Sequence, residues 1–333
     1  MRSAAVKLAG AGALAAVLAA AVSRRRVVGR LVRHLVVKAA GAPNYTPLPP
    51  PKKVKVALCQ LHVTADKEQN WQTARRAIQD AASRGAQLVV LPEMWNCPYS
   101  NDSFPVYAEE LQAPGGALSP SLTVLSEAAA AARVTLVGGS IPERCGGRLY
   151  NTCCVFNSRG ELLAKHRKVH LFDIDIPGKI TFKESLTLSP GPGPTVVDTE
   201  AGRLGLGICY DIRFPELAQL YAERGCQVLV YPGAFNMTTG PVHWELLARA
   251  RAVDNQLFVL TCSPARNPDS SYQAWGHSTA VGPFAEVLAT TEAAPDIVLA
   301  ELDYSQLAER RANMPLRGQK RHDLYRLLEK TAA

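Results

Sequence analysis

An alternation of short apolar runs with longer amphipathic ones is the strongest constraint on the fold, and it occurs twice. The first half predicts a strand, a helix and a strand over residues 54–61, 66–84 and 87–91. The second half predicts the same order over residues 203–208, 215–224 and 227–231. Such alternation is typical of βα units with parallel strands. Antiparallel additions are predicted by closely spaced late strands at 257–262, 274–281, 286–290 and 297–302.

Two similar halves without a linker predict two packed sheets with helices on their outer sides. The expected fold class is α/β, a four-layer αββα sandwich formed by one domain with pseudo-two-fold halves. Between the halves, we predict a long irregular segment over residues 170–193, and after the last strand a short helix and a basic tail.

Positive charge is concentrated in residues 1–50. The chain holds 37 Lys and Arg against 29 Asp and Glu, and eight of the basic residues lie in this stretch, which has no acidic residue. The rest carries 29 charges of each sign, which argues against a nucleic-acid partner. We therefore predict a leader and proline-rich linker in residues 1–50 and a folded domain in residues 51–333.

The Ala-, Val- and Arg-rich composition of the leader predicts a transit peptide for a mitochondrion or plastid. One alternative is a membrane anchor formed by residues 4–22, although Ala and Gly make this run only weakly hydrophobic. The other alternative is a cytoplasmic protein. If the leader is removed, no membrane association is expected of the remaining chain.

Cys209 lies in GLGICYDIRFPE, between the strand predicted over 203–208 and the helix predicted over 215–224. A cysteine in a strand-to-helix turn is a candidate nucleophile, because amides at a helix N-terminus lower the pKa of a thiol and can stabilise an anion. The alternative is a buried structural cysteine.

Three charged residues are further candidates. Glu93 follows the strand over 87–91, and open α/β sheets place their sites at the carboxyl ends of strands. A partly buried carboxylate there would have a raised pKa and could act as a base toward a thiol. Lys168 follows another strand and offers a cation for an oxyanion. Taken singly, Glu93 and Lys168 could be solvated surface residues, and Glu184 alone indicates nothing.

Histidine and metal chemistry are less well supported by the sequence. His166 and His170 are alternative partners for the cysteine, but spacing along the chain cannot decide this. The eight cysteines include no Cys-x-x-Cys pair and no zinc-like spacing with the seven histidines. The sequence therefore predicts no metal site.

Three blocks resemble, in order, the catalytic blocks of the nitrilase superfamily of carbon–nitrogen hydrolases. They are LPE at 91–93, RKVHLF at 167–172 and GICYD at 207–211. Further stretches look characteristic of the omega-amidase branch, at 170–185, 231–241, 243–256 and 274–279. The similarity covers about residues 53–327.

The resemblance implies a role for each candidate residue. Cys209 matches the nucleophile, Glu93 the general base, Lys168 the lysine that stabilises the oxyanion, and Glu184 a second glutamate beside that lysine. Tyr99 and Arg213 match positions expected to engage the distal carboxylate of the substrate. In the mechanism that we expect, the backbone amide of Tyr210, next to the nucleophile, donates to the oxyanion. An arginine fork suits a carboxylate.

The implied activity is hydrolysis of 2-oxoglutaramate and 2-oxosuccinamate through a cysteine thioester. No metal or organic cofactor is implied, and the expected assembly is a homodimer or higher homo-oligomer. One alternative is another amidase of the superfamily, acting on deaminated glutathione or an N-carbamoyl amine. A non-catalytic interaction protein is the other.

Overall fold

The computed structural model describes residues 52–112 and 116–330, so the predicted leader and linker of residues 1–50 lie outside the described residues. The first half contains five strands and three helices, with bounds β1 Lys53–Gln60, α1 Lys67–Ser83, β2 Leu88–Val90, α2 Ser103–Tyr107, α3 Pro120–Ala132, β3 Thr135–Cys145, β4 Arg148–Phe156 and β5 Leu162–Arg167. A hairpin connects it to the second half, with bounds β6 Asp173–Ile176 and β7 Ile180–Lys183.

The second half supplies the remaining elements. Its strands and helices are β8 Thr195–Thr199, β9 Gly202–Leu206, α4 Pro215–Glu223, β10 Val228–Pro232, α5 Gly240–Asn255, β11 Phe258–Cys262, β12 Thr279–Val281, β13 Val287–Thr290, β14 Asp296–Asp303, α6 Ser305–Asn313 and α7 Leu316–Gln319. In the part of the chain that the structure describes, no helix is long and apolar enough to cross a membrane.

Two six-stranded sheets have the same order and the same strand directions. The first has the order β14-β1-β2-β3-β4-β5 and the second β8-β9-β10-β11-β12-β13. In each, the second, third and fourth strands are mutually parallel, and all other pairings are antiparallel. The predicted pseudo-two-fold relation is confirmed, and β14 takes in the first sheet the place that β8 takes in the second.

The strands bury their two faces in different cores. In β1, Val54, Val56 and Leu58 point toward the second sheet and pack in one apolar cluster with its strands. The alternate residues Ala57 and Cys59 pack in another cluster with α1 and α3, as the two-residue period of a strand requires. Helices α4 and α5 pack against the second sheet. The predicted αββα sandwich is confirmed.

Two local predictions differ from the structure. Residues 170–193, predicted to be irregular, contain the β6–β7 hairpin, in which Ile174 pairs with Phe182. The strand predicted over 274–281 begins only at Thr279, because Gly276 and His277 have φ angles of 78° and 57°. A strand cannot continue through left-handed residues.

Candidate active site

Four predicted site residues meet at one edge of the sandwich. Glu93 follows β2, Lys168 follows β5, Glu184 follows β7 and Cys209 follows β9. All four side chains are buried, and the exposed fraction of Glu93, Lys168 and Glu184 is 0%. Because a buried charge is costly without a partner, the contacts among these groups decide what the site can do.

Lys168 joins the two carboxylates. Its Nζ donates to Oε1 of Glu93 at 3.1 Å and lies 2.9 and 2.8 Å from the two carboxylate oxygens of Glu184. Burial alone would favour the neutral amine, but the charges of Glu184 and Glu93 outweigh it and raise the pKa of Lys168 above its usual value. The lysine is therefore expected to be a cation although its side chain is buried.

Glu93 is oriented by three donors. Its Oε1 accepts from Nδ2 of Asn151 at 2.8 Å as well as from Lys168, and its Oε2 accepts from the backbone N–H of Ala234 at 2.8 Å. Burial raises the pKa of Glu93, with the charge of Lys168 acting in the opposite direction. A carboxylate with a raised pKa is a stronger base, which suits it to accept a thiol proton.

Cys209 begins a five-residue 3₁₀ turn, Cys209–Arg213, rather than a long helix. Its φ of 47° is left-handed, and the Glu93 carboxylate is close enough to act on the pKa of its thiol. Burial first, and then the Glu93 carboxylate, raise the pKa of the thiol well above its usual value. The lowered pKa predicted from a helix N-terminus is therefore wrong, because desolvation outweighs the amides of so short a turn. A neutral thiol needs a base, and Glu93 is a carboxylate close enough to influence the pKa of this thiol.

Glu184 and Tyr99 hold the lysine from the other side. The hydroxyl of Tyr99 donates to Oε1 of Glu184 at 2.9 Å, and the backbone N–H of Phe172 donates to Oε2 at 2.7 Å. Because the single proton of Tyr99 is committed to Glu184, this hydroxyl has none left to donate to a substrate carboxylate in this arrangement.

Asp211 forms hydrogen bonds with both the segment after β5 and the segment after β9. Its buried carboxylate accepts from the backbone N–H of Ile208 at 2.9 Å, and from the backbone N–H and Nδ1 of His170 at 2.9 and 2.8 Å. Nε2 of His166 lies 3.4 Å away. Both histidines are therefore partners of Asp211, which connects the residues beside Lys168 to those beside Cys209.

Arg213 lines a small cavity together with Cys209. This cavity of about 10 Å³ is formed by Cys209, Tyr210, Arg213, Tyr272 and a few neighbours including Thr239. The guanidinium stacks over Phe235 at 4.7 Å, and its buried Nε has no hydrogen-bond partner within the described residues. No carboxylate pairs with Arg213 in residues 52–112 and 116–330, so its charge is available to an anion.

These features agree with the comparison to known proteins. The family model of carbon–nitrogen hydrolases matches residues 55–312. This chain belongs to the carbon–nitrogen hydrolase family. The chloroplastic omega-amidase of Arabidopsis thaliana is 64% identical over 87% of this chain and 79% of its own length. The omega-amidase NIT2 of Homo sapiens is 56% identical over 81% of this chain and 96% of its own.

A solved structure gives the same result. Nit3 of Saccharomyces cerevisiae, a member of branch 10 of the nitrilase superfamily, superposes with a TM-score of 0.75 and is 46% identical. The match covers 82% of this chain and 98% of Nit3. The predicted family is thus confirmed.

Some residues of this carbon–nitrogen hydrolase site were not predicted from the sequence. Asn151 and the backbone amide of Ala234 orient Glu93, and neither was predicted. Asp211 lies within the GICYD block, but no role was predicted for it. Tyr272 donates to the carbonyl of Ala234 at 2.6 Å and stacks on Tyr99 with ring centroids 4.4 Å apart. Asp211 could have been identified from its position two residues after the cysteine. The backbone amide of Ala234 could not, because the sequence carries no mark of a backbone N–H.

Proposed function

We propose that this protein is an omega-amidase that hydrolyses the side-chain amide of dicarboxylic acid monoamides such as 2-oxoglutaramate and 2-oxosuccinamate. The observation that carries the proposal is the buried cluster in which Lys168 links the carboxylates of Glu93 and Glu184 beside Cys209. The names of the plant and human relatives support the substrate class.

Attack on the amide begins with proton transfer from Cys209 to Glu93. The thiolate then adds to the amide carbon, and negative charge develops on the carbonyl oxygen. Lys168 and the backbone amide of Tyr210 stabilise that oxyanion. One such donor typically contributes about 3 kcal/mol of transition-state stabilisation.

Glu93 then acts as an acid. It returns the proton to the leaving nitrogen, the carbon–nitrogen bond breaks, and ammonia departs from a thioester on Cys209. Water that gives its proton to Glu93 adds to the thioester, and the second tetrahedral intermediate expels the Cys209 thiolate. The thiolate regains its proton, and the dicarboxylate is released.

Glu184 and Tyr99 act through the lysine. By contacting Nζ of Lys168 at under 3 Å, Glu184 keeps the ammonium ionised and fixes its position. Tyr99 fixes Glu184 in turn. We therefore assign Tyr99 to positioning in place of the carboxylate contact expected from the resemblance.

Arg213 is the proposed site for the distal carboxylate. Its unpaired Nε and its place beside Cys209 suit a short acid with a carboxylate a few bonds from the amide. The cavity has room for about one water molecule. Binding of the acyl chain therefore requires the aromatic wall, which includes Tyr272, to move outward.

Ammonia release from 2-oxoglutaramate tests the function. The full-length protein should release ammonia, and Cys209→Ala should reduce release to background. Cys145→Ala is a matched control, since this cysteine is exposed and lies outside the site. Full activity in Cys209→Ala would overturn the mechanism, and an inactive wild type whose Cys209 is still alkylated selectively by iodoacetamide would overturn the substrate assignment.

We further propose that residues 1–50 direct import into an organelle. The acid-free, Arg-rich leader supports this, as does the name of the Arabidopsis thaliana relative, which places that protein in the chloroplast. A fluorescent protein carrying residues 1–50 should enter plastids or mitochondria of plant cells. The same fusion with Arg24, Arg25 and Arg26 replaced by Glu should stay in the cytosol. Equal import of both fusions would contradict the proposal.

A homodimer is the proposed assembly. On α5, Val242, Leu246 and Val253 are 58%, 62% and 40% exposed and share one face of the helix. An exposed apolar stripe of this kind is typical of a protein interface. The opposite face, including Trp244 and Ala248, packs in the core.

A further inference from the structure

A second cavity opens on the Glu93 side of the site and is larger than the proposed reaction needs. Its volume is about 310 Å³. Ammonia, the leaving group of a primary amide, is about the size of a water molecule, which occupies about 30 Å³ in the liquid. The space beside Glu93 is therefore about ten times that of the leaving group.

The two cavities share part of their lining but differ at the reacting residues. Cys209 and Arg213 line the small one and Glu93 lines the large one, whereas Ala234 and Tyr272 line both. With the distal carboxylate at Arg213, the acyl chain occupies the small cavity, which Glu93 does not line. The amide nitrogen must face Glu93, because this residue protonates it as it leaves. A substituent on that nitrogen therefore points into the large cavity.

The lining of the large cavity is mostly apolar, with a few neutral polar groups. Its walls include Val63, Met94, Pro264, Ala265, Thr64 and Ser271. Among the described residues that line it, Glu93 carries the only charged side chain, and this carboxylate is already paired with Lys168. The cavity thus suits an uncharged group and offers no cation to a carboxylate.

We propose that the enzyme also hydrolyses secondary amides, namely dicarboxylic acid monoamides whose nitrogen carries a short uncharged substituent. This inference rests on the proposed function and extends its substrate class. The reaction follows the same steps as for a primary amide. Cys209 forms the same thioester, Glu93 protonates the departing amine, and water hydrolyses the thioester to release the dicarboxylate. A primary amine leaves in place of ammonia.

The experiment compares three substrates of the full-length protein by amine release. They are succinamate, N-(2-hydroxyethyl)succinamate and N-(carboxymethyl)succinamate, the last releasing glycine. We expect kcat/KM for the hydroxyethyl amide within about tenfold of that for succinamate. The carboxymethyl amide should fall at least about a hundredfold lower, because its carboxylate loses water without gaining a partner.

Two variants link these rates to the cavity. Ala265→Leu fills part of it and should lower the ratio of kcat/KM for the hydroxyethyl amide to that for succinamate by about tenfold, a loss typical of a poorly fitting pocket. Val106→Leu, at an exposed position outside the cavity, should keep that ratio. Ser271→Lys should raise cleavage of the carboxymethyl amide by about tenfold, and added salt should reverse the gain.

The outcomes separate the inference from the function on which it rests. Rapid hydrolysis of succinamate with no cleavage of the hydroxyethyl amide would overturn the inference and leave the omega-amidase proposal intact. Equal cleavage of the carboxymethyl and hydroxyethyl amides would overturn the assignment of the cavity to uncharged groups. Failure on all three amides, with Cys209 still alkylated by iodoacetamide, would overturn both proposals.

Discussion

At the scale of single residues, the proposed mechanism depends on a base close to a neutral thiol. Because burial raises the pKa of Cys209, we expect the thiol to react at pH 7 only after Glu93 takes its proton. We predict that Glu93→Gln slows alkylation of Cys209 by iodoacetamide about a thousandfold, within the range of general base catalysis.

The matched control for this prediction is His170→Asn. His170 donates to Asp211, and an asparagine amide can also donate there. Its alkylation rate should therefore stay close to that of the wild type. A histidine variant that lost reactivity as Glu93→Gln does would point to a cysteine–histidine mechanism instead.

Lys168 is a residue whose removal leaves two buried carboxylates without their cation. We predict that Lys168→Met abolishes activity and lowers the free energy of unfolding by about 4 kcal/mol, as expected when a buried ion pair loses one partner. Adding Glu184→Gln should restore part of that stability and none of the activity. Urea unfolding measures both variants.

Lys165→Met provides the comparison for Lys168. Lys165 also contacts a buried glutamate, Glu143, but its side chain is 35% exposed and Arg167 pairs with the same carboxylate. Its loss should cost below about 1 kcal/mol. If the two lysine variants lose the same free energy of unfolding, then Lys168 does not stabilise the buried carboxylates as predicted.

At the scale of elements, Asp211 connects the turn after β9 to the segment after β5. Burial opposes its charge, but hydrogen bonds from His166 and His170 outweigh it and lower the pKa of Asp211 below its usual value. A lowered folded-state pKa stabilises the fold above the unfolded pKa of about 3.9, and this contribution is lost as pH falls through the folded value.

We therefore predict that Asp211→Asn lowers the free energy of unfolding at pH 7 by about 2 kcal/mol, since buried donors lose their acceptor. Below about pH 4 the gap to the wild type should narrow, by up to about 1.4 kcal/mol per pH unit. Urea unfolding of the wild type and of Asp211→Asn between pH 7 and pH 3 measures this difference in the free energy of unfolding. A gap that stays constant over this range would mean that Asp211 is not ionised in the folded protein.

Strands and helices were predictable where their pattern of apolar and polar residues extended over a long run of sequence. The strand over 54–61 and the helix over 66–84 have periods of two and 3.6 residues, and both lie within a residue or two of their predicted bounds. The β6–β7 hairpin has only four residues in each strand. A period cannot be established over so short a run, and these strands and β8 mix apolar with polar residues, whereas the equally short β2 is apolar throughout.

Predictability of the site divides between side chains and backbone. Glu93, Lys168, Glu184 and Cys209 were identified because a block of sequence around each matches a family pattern, and the structure places them in contact. The amide of Ala234 contributes to the site through its N–H, which every residue except proline has. Tyr99 was predicted at the distal carboxylate of the substrate, whereas the fold shows that its hydroxyl donates to Glu184.

At the scale of the whole molecule, the stripe on α5 is where a second copy is expected to pack. The stripe lies on the side of α5 away from the second sheet, so pairing there would extend the layers of the sandwich. Val242, Leu246 and Val253 remain in water unless another surface covers them. Burial of one such leucine typically stabilises a complex by about 2 kcal/mol. In a symmetric dimer both copies bury the same residues, so each position contributes twice.

Leu246→Glu should therefore convert the proposed dimer to a monomer, because the interface would have to bury a carboxylate in place of an apolar side chain. Sedimentation velocity at micromolar concentration measures this. Leu324→Glu is the control, since Leu324 is 69% exposed but lies outside α5, and it should stay dimeric. If Leu246→Glu keeps the mass of the wild-type dimer, the interface lies elsewhere. If the monomer keeps its kcat while its melting temperature falls, pairing stabilises the sandwich without contributing to the chemistry, as expected for a site built from residues of one chain.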